Sequence, residues 1–224
     1  MKLIELVKKD IEKFLRGNGQ LFFNERDLQM HLAIYLKTSD NAYDDVEVEY
    51  YVPVGVDNSS MKSGLYLDIV VKNGGEYLPT ELKYKTKSLN NKINKMQKPL
   101  LRLGKMVSVD VLKNQSAQDI GMYLFWKDVW RIELIRREFE QVKNGLAVFV
   151  TNDKAYQNRP KETTNHYMFS MNADVLHQKQ KYWLYPESKC AQMYKGFEVE
   201  KEYEIEWHNL VAEEVDLYYC IVNI

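Results

Sequence analysis

Hydrophobic residues recur along this chain with two distinct periods. Leu3, Ile4, Val7, Ile11, Phe14 and Leu15 fall at helical spacing, and Gly17-Asn18-Gly19 predicts where that first helix stops. A second helix is predicted to start at Asn24, a good N-cap residue, and to bury Leu28, Leu32 and Leu36. Glu25 precedes Leu28 by three positions, so it shares the core-facing side in the first helical turn, where acids also complement the helix dipole. The pattern then changes to alternation. Asp45–Val54 reads as a strand, and Tyr66–Lys72 and Tyr77–Tyr84 read as two more, separated by Asn73-Gly74-Gly75-Glu76.

Further on, Leu89–Leu103 is lysine-rich and predicts a helix broken near Pro99. Gln118–Val142 predicts a long helix whose aromatics, Tyr123, Phe125, Trp126, Trp130 and Phe139, are read as core. Asp128 and Arg131, three apart on it, are expected to pair and to buttress the sheet, the alternative being contact with a phosphate. Gly145–Thr151 is a short apolar run suited to a central strand, expected parallel to the hairpin strands after a helical crossover. Residues 153–195 have weak periodicity and yield no assigned element. Glu204–Leu210 and Leu217–Ile224 read as closing strands. The fold class expected is α/β, a central mixed sheet flanked by helices, as a single domain over 1–224.

The hairpin register follows from its turn. A Gly-Gly pair tolerates the positive φ of a two-residue primed turn. If Gly74 and Gly75 form the loop, 73 pairs with 76 and 70 with 79. Asp68 then faces Glu81 in a non-hydrogen-bonded pair, with Cβ atoms roughly 4.5–5.5 Å apart. Lys83, two residues beyond Glu81, stands on the same face about 7 Å further along. Pro79 sits opposite Val70, where its missing N–H weakens only the ladder on the far side. Two facing carboxylates repel. A hard divalent cation such as Mg²⁺ removes the conflict, with the Leu82 carbonyl as a further oxygen, and Lys83 beside it could hold or deprotonate a water and stabilise phosphorane charge. Charged residues on a strand usually mark a solvated face, but the neighbours Leu65, Leu67, Ile69, Val70, Val71, Leu78 and Leu82 are apolar, as in a buried strand pair.

Leu67-Asp68-Ile69-Val70 followed by Pro79-Thr80-Glu81-Leu82-Lys83 resembles the PD-(D/E)xK nuclease superfamily, and most of the chain looks like an uncharacterised prokaryotic subgroup of it. The resemblance implies a restriction-endonuclease-like fold. It assigns metal binding to Asp68 and Glu81, assistance of the attacking water to Lys83, and a further acid from an upstream helix to Glu25. The proline usual before the first acid is absent; Leu67 holds that place. The implied cofactor is Mg²⁺ or Mn²⁺ and the implied activity is phosphodiester hydrolysis, with DNA ahead of RNA.

Charge adds a partner to this picture. The net charge of −1 argues against indiscriminate coating of nucleic acid. Between Lys83 and Lys113, however, the bases, including Lys85, Lys87, Lys92 and Lys95, face only one acid, Asp110. Those four lysines are the expected phosphate grip, the alternative being a solvated lysine-rich helix. Acids crowd instead between Glu198 and Asp216. Cys190 and Cys220 are two lone cysteines, and His31, His166, His177 and His208 lack ligand spacing; a zinc site, a disulfide framework and histidine catalysis are not expected. No apolar run approaches membrane-spanning length, so the expected location is cytoplasmic, without a membrane partner and with a homodimer left open. The rival to a nuclease is a catalytically silent nucleic-acid-binding or protein-interaction module on a nuclease-like scaffold.

Overall fold

The computed structural model describes residues 1–53, 64–89, 97–114 and 117–224. The chain opens with α1 (Leu3–Asn18), which ends on Gly19 at φ 60°, and α2 (Glu25–Lys37), capped by the Asn24 side chain accepting the Asp27 N–H at 2.9 Å. The strands β1 (Asp45–Val52), β2 (Leu65–Asn73) and β3 (Glu76–Lys85) follow. Next come β4 (Gln97–Arg102), β5 (Lys105–Asp110), α3 (Gln118–Glu138) and β6 (Leu146–Thr151). Two 3₁₀ turns, the two-residue strands β7 (Leu176–His177) and β8 (Gln180–Lys181), and α4 (Lys189–Met193) are the short elements of the region that carried no sequence period, and the two-residue strands β9 (Phe197–Glu198) and β10 (Tyr203–Glu204) follow it. β11 (His208–Ala212) and β12 (Val215–Asn223) close the chain.

Six strands form one mixed sheet in the order β1-β2-β3-β6-β12-β11. Only β3 and β6 are parallel, with Thr80 opposite Leu146 and Lys85 opposite Thr151, and α3 lies in the connection between them. Every residue of β6 is buried, because both faces of this central strand are covered. Its Leu146, Val148 and Val150 pack with α1 and α2, while Ala147 and Phe149 pack with α3. β3 alternates in the same way: Leu78, Leu82 and Tyr84 join the α1–α2 core, leaving Glu81 and Lys83 on the opposite face. The α3 aromatics Tyr123, Phe125 and Trp126 are core. Gly145 leads into β6 because a Cβ there would run into Ile132 Cγ2 and the Pro79 carbonyl.

The glycine turn sets the hairpin register as the sequence predicts: Asn73 faces Glu76, Lys72 faces Tyr77, Val70 faces Pro79 and Ile69 faces Thr80. Gly74 and Gly75 both have positive φ, at 57° and 81°. Pairing of β3 with β6 starts at Thr80, one residue after Pro79. The lysine-rich segment departs from expectation. Residues 90–96, with Lys92 and Lys95, lie outside the described residues. Residues 97–102, expected to be helical around Pro99, form β4 of a two-stranded hairpin with β5. The turn Leu103-Gly104, with φ of 48° and 80°, supplies the reversal. Among the described residues no helix is long and apolar enough to cross a membrane.

Candidate active site

The β2–β3 ladder ends at Ile69–Thr80, and the strands part beyond it. β2 stays paired with β1, Leu67 opposite Tyr50, but across from Asp68 the β1 residue Glu49 has φ 50°. Leu67 and Val70 enter the same apolar cluster under the end of α3, so strict alternation along β2 is broken at Asp68. The gap exposes backbone groups of β3 that would have met β2. By the register, the N–H groups of Leu82 and Tyr84 point into it.

Carboxylates take the place of the missing strand. Asp68 Oδ2 accepts the Leu82 N–H at 2.7 Å, and Glu25 Oε2 accepts the Tyr84 N–H at 3.0 Å. The predicted Asp68–Glu81 strand pair does not form, because the ladder stops one pair short of it, but the Asp68 N–H still reaches Glu81 Oε2 at 3.4 Å. Gln29, one helical turn after Glu25, donates to the Asp68 carbonyl at 2.6 Å and fixes β2 from the α2 side. Lys83 donates to the Leu82 carbonyl at 2.9 Å, lies 2.6 Å from Asp128 Oδ2 and 3.7 Å from Glu25 Oε1. Arg131 stands 3.0 Å from Asp128 Oδ1 and 3.4 Å from Glu81 Oε1, and donates to the Tyr66 carbonyl at 2.9 Å. Lys85 faces Glu25 at 3.8 Å.

Four carboxylates, those of Glu25, Asp68, Glu81 and Asp128, thus face three cations in a largely buried cluster. Glu81 is 2% exposed and its Oε1 has no hydrogen-bond donor. Burial raises the Glu81 carboxyl well above its ordinary range; Asp128 and Asp68 add to the rise, and Arg131 and Lys83 oppose it. Burial likewise raises Asp68, against the pull of Lys83 and the Leu82 N–H. For Lys83 burial works toward the neutral amine, but Asp128, Glu25, Glu81 and Asp68 together outweigh it and hold the ammonium. The four acids around Lys83 thus favour its ammonium form.

The structure brings Asp68, Glu81, Lys83 and Glu25 together. Lys85 borders the cluster through Glu25, while exposed Lys87 is held by its backbone: its N–H donates to Asn152 Oδ1 at 2.7 Å and its carbonyl accepts from Asn152 Nδ2 at 2.8 Å. Asp128 and Arg131 do pair, yet they also enter the site itself, and Gln29 was not anticipated. The spacing of Gln29 from Glu25, one helical turn on the same face, was the available signal. Among the described residues no three His, Cys, Asp or Glu side chains converge as a ready-made cation cage. Two facing carboxylates are nevertheless a sufficient protein contribution for Mg²⁺, which keeps several waters. A buried acid oxygen without a donor, in a cluster with more acids than bases, is chemically suited to take up a cation.

Comparison with protein-family models, with curated proteins and with solved structures finds no match.

Proposed function

We propose that this chain is a metal-dependent nuclease on a restriction-endonuclease-like, PD-(D/E)xK fold, hydrolysing phosphodiester bonds, in DNA ahead of RNA. The single observation that carries the reading is the meeting of Asp68 and Glu81 where β2 leaves β3, with the Lys83 ammonium on the next carbonyl. Asp68 and Glu81 would hold Mg²⁺ or Mn²⁺, with Glu25 as an outer acid. Such an ion, when bound, polarises a phosphoryl oxygen and acidifies water. In hydrolysis the water oxygen bonds to phosphorus as the P–O ester bond breaks, and the water proton balances the leaving alkoxide. Lys83, clamped by Asp128, supplies fixed positive charge for the developing phosphorane. Arg131 restrains Glu81, and Gln29 restrains the backbone of Asp68. Lys85 and Lys87 follow on β3 and just beyond it, where a phosphate chain leaving the gap would meet them.

The test is hydrolysis of assorted DNA and RNA substrates with Mn²⁺ by the wild type, Asp68→Ala and Lys83→Ala. The expected loss in each variant is about 10²–10³-fold. Equal rates in all three would mark the activity as a contaminant and retire the proposal.

The second reading, a silent nucleic-acid-binding or interaction module, draws on the Arg131–Glu81 contact, since a guanidinium already provides Glu81 with a counter-charge. It predicts DNA retention without turnover, and no ion uptake at Asp68 and Glu81.

A further inference from the structure

The segment between β6 and β10 lines a half-open cavity of about 170 Å³. Its wall includes Lys181, His177, Arg159, Ser170, Asn172 and Gln178, and contains no Asp or Glu. Lys181 is 1% exposed, and its ammonium lies 3.6 Å from the centre of the Trp126 ring. Among the described residues no carboxylate forms an ion pair with it, and burial alone pushes it down to about 7. A buried ammonium is costly unless an opposite charge joins it, and one aromatic face offsets only part of that cost.

The surrounding groups suit an anion. His177 Nε2 lies 2.9 Å from the Asn172 carbonyl, which can only accept, so the ring's N–H is spent there and His177 is wall rather than an anion donor. Burial pushes His177 down to about 4, so the ring is neutral at neutral pH. Arg159, on the solvent side, donates to the Tyr167 hydroxyl at 2.8 Å and meets Glu162 at 3.3 Å, which keeps its guanidinium by the cavity. Ser170 adds a hydroxyl and Gln178 an amide, while Asn172 Nδ2 already donates to the Ala173 carbonyl at 3.3 Å. An ammonium, a guanidinium, a hydroxyl and an amide on different walls suit the several oxygens of a tetrahedral phosphoryl group.

We propose that this cavity binds a small phosphate-bearing anion, with Lys181 as its buried counter-charge and Arg159 at its rim. The inference stands apart from the nuclease reading and shares no residue with it. Calorimetric titration of the full chain with inorganic phosphate, and separately with acetate, tests it. One phosphate is expected per chain, bound about tenfold or more tighter than acetate. Lys181→Met should weaken phosphate binding by about tenfold or more, and Arg159→Ala by less. Absence of phosphate binding, unchanged affinity in Lys181→Met, or acetate binding as tightly as phosphate would each overturn the assignment. Should Lys181→Met not fold, ¹³C-lysine-labelled wild type decides: phosphate is expected to raise the Lys181 titration midpoint by about one unit or more. A midpoint indifferent to phosphate would overturn it.

Discussion

Asp68 hydrogen-bonds to the backbone of Leu82 at 2.7 Å, so a catalytic candidate is also the cap on an open strand. Leu82 is fully buried, and its N–H has lost the β2 carbonyl that a continuing ladder would have offered. Asp68→Ala should therefore cost stability, about 1–3 kcal/mol for an unpaired buried donor. Asp68→Asn keeps an acceptor and removes a charge that burial disfavours, so it should stay within about 1 kcal/mol of wild type. Urea unfolding of the two variants separates the roles: both should be inactive, and only the alanine should be unstable. Equal stability of the two would show that the cap carries no weight.

Arg131 links Glu81, Asp128 and the Tyr66 carbonyl across the gap between sheet and α3. Removing its charge in Arg131→Met leaves Glu81 short of a counter-ion, and about 3 kcal/mol of destabilisation is expected. Glu81→Gln in the same chain should recover part of the loss, because the acid that Arg131 balanced is gone. A double-mutant cycle by urea unfolding checks this. Strict additivity would mean that the 3.4 Å contact is energetically silent.

His177 predicts a pH dependence away from the site. Burial pushes its folded-state value from 6.5 down to about 4, with Lys181 adding to the shift. The unfolded chain takes up the proton first as pH falls, so stability is present above about 6.5 and is lost progressively toward pH 4. The contribution is at most about 3 kcal/mol. His177→Phe should lose less stability than wild type between pH 6.5 and 4.5, measured as the urea midpoint. Parallel profiles for the two proteins would exclude His177 as the titrating group.

Local chemistry explains what the sequence made readable. Gly74-Gly75 sets the register as far as Ile69–Thr80, and Asp68 and Glu81 then meet through the Asp68 N–H after the strands part. Asn24 and Gly19 punctuate α2 and α1 because their side-chain and backbone properties act within a few residues. Residues whose role depends on distant chain were harder. Asp128 and Arg131 read as an i,i+3 pair, but their contacts with Lys83 and Glu81 arise only after α3 crosses back over β3. Gln29 reaches Asp68 from another layer. The lysine-rich segment reads as a helix, whereas Leu103-Gly104 form a turn that pairs residues 97–102 with β5. Residues between β6 and β11 hold only short elements, tied by side chains such as Trp126, whose indole N–H donates to the Phe169 carbonyl at 3.0 Å. No period is generated by such contacts.

Calorimetric titration with Mn²⁺ tests the central claim most directly, because it asks whether the acids facing each other across the β2–β3 gap take up a cation. Wild type is expected to bind Mn²⁺, with Asp68→Asn and Glu81→Gln losing that binding while remaining folded. Wild type that takes up no Mn²⁺, or variants that bind it as tightly as wild type, would contradict the account.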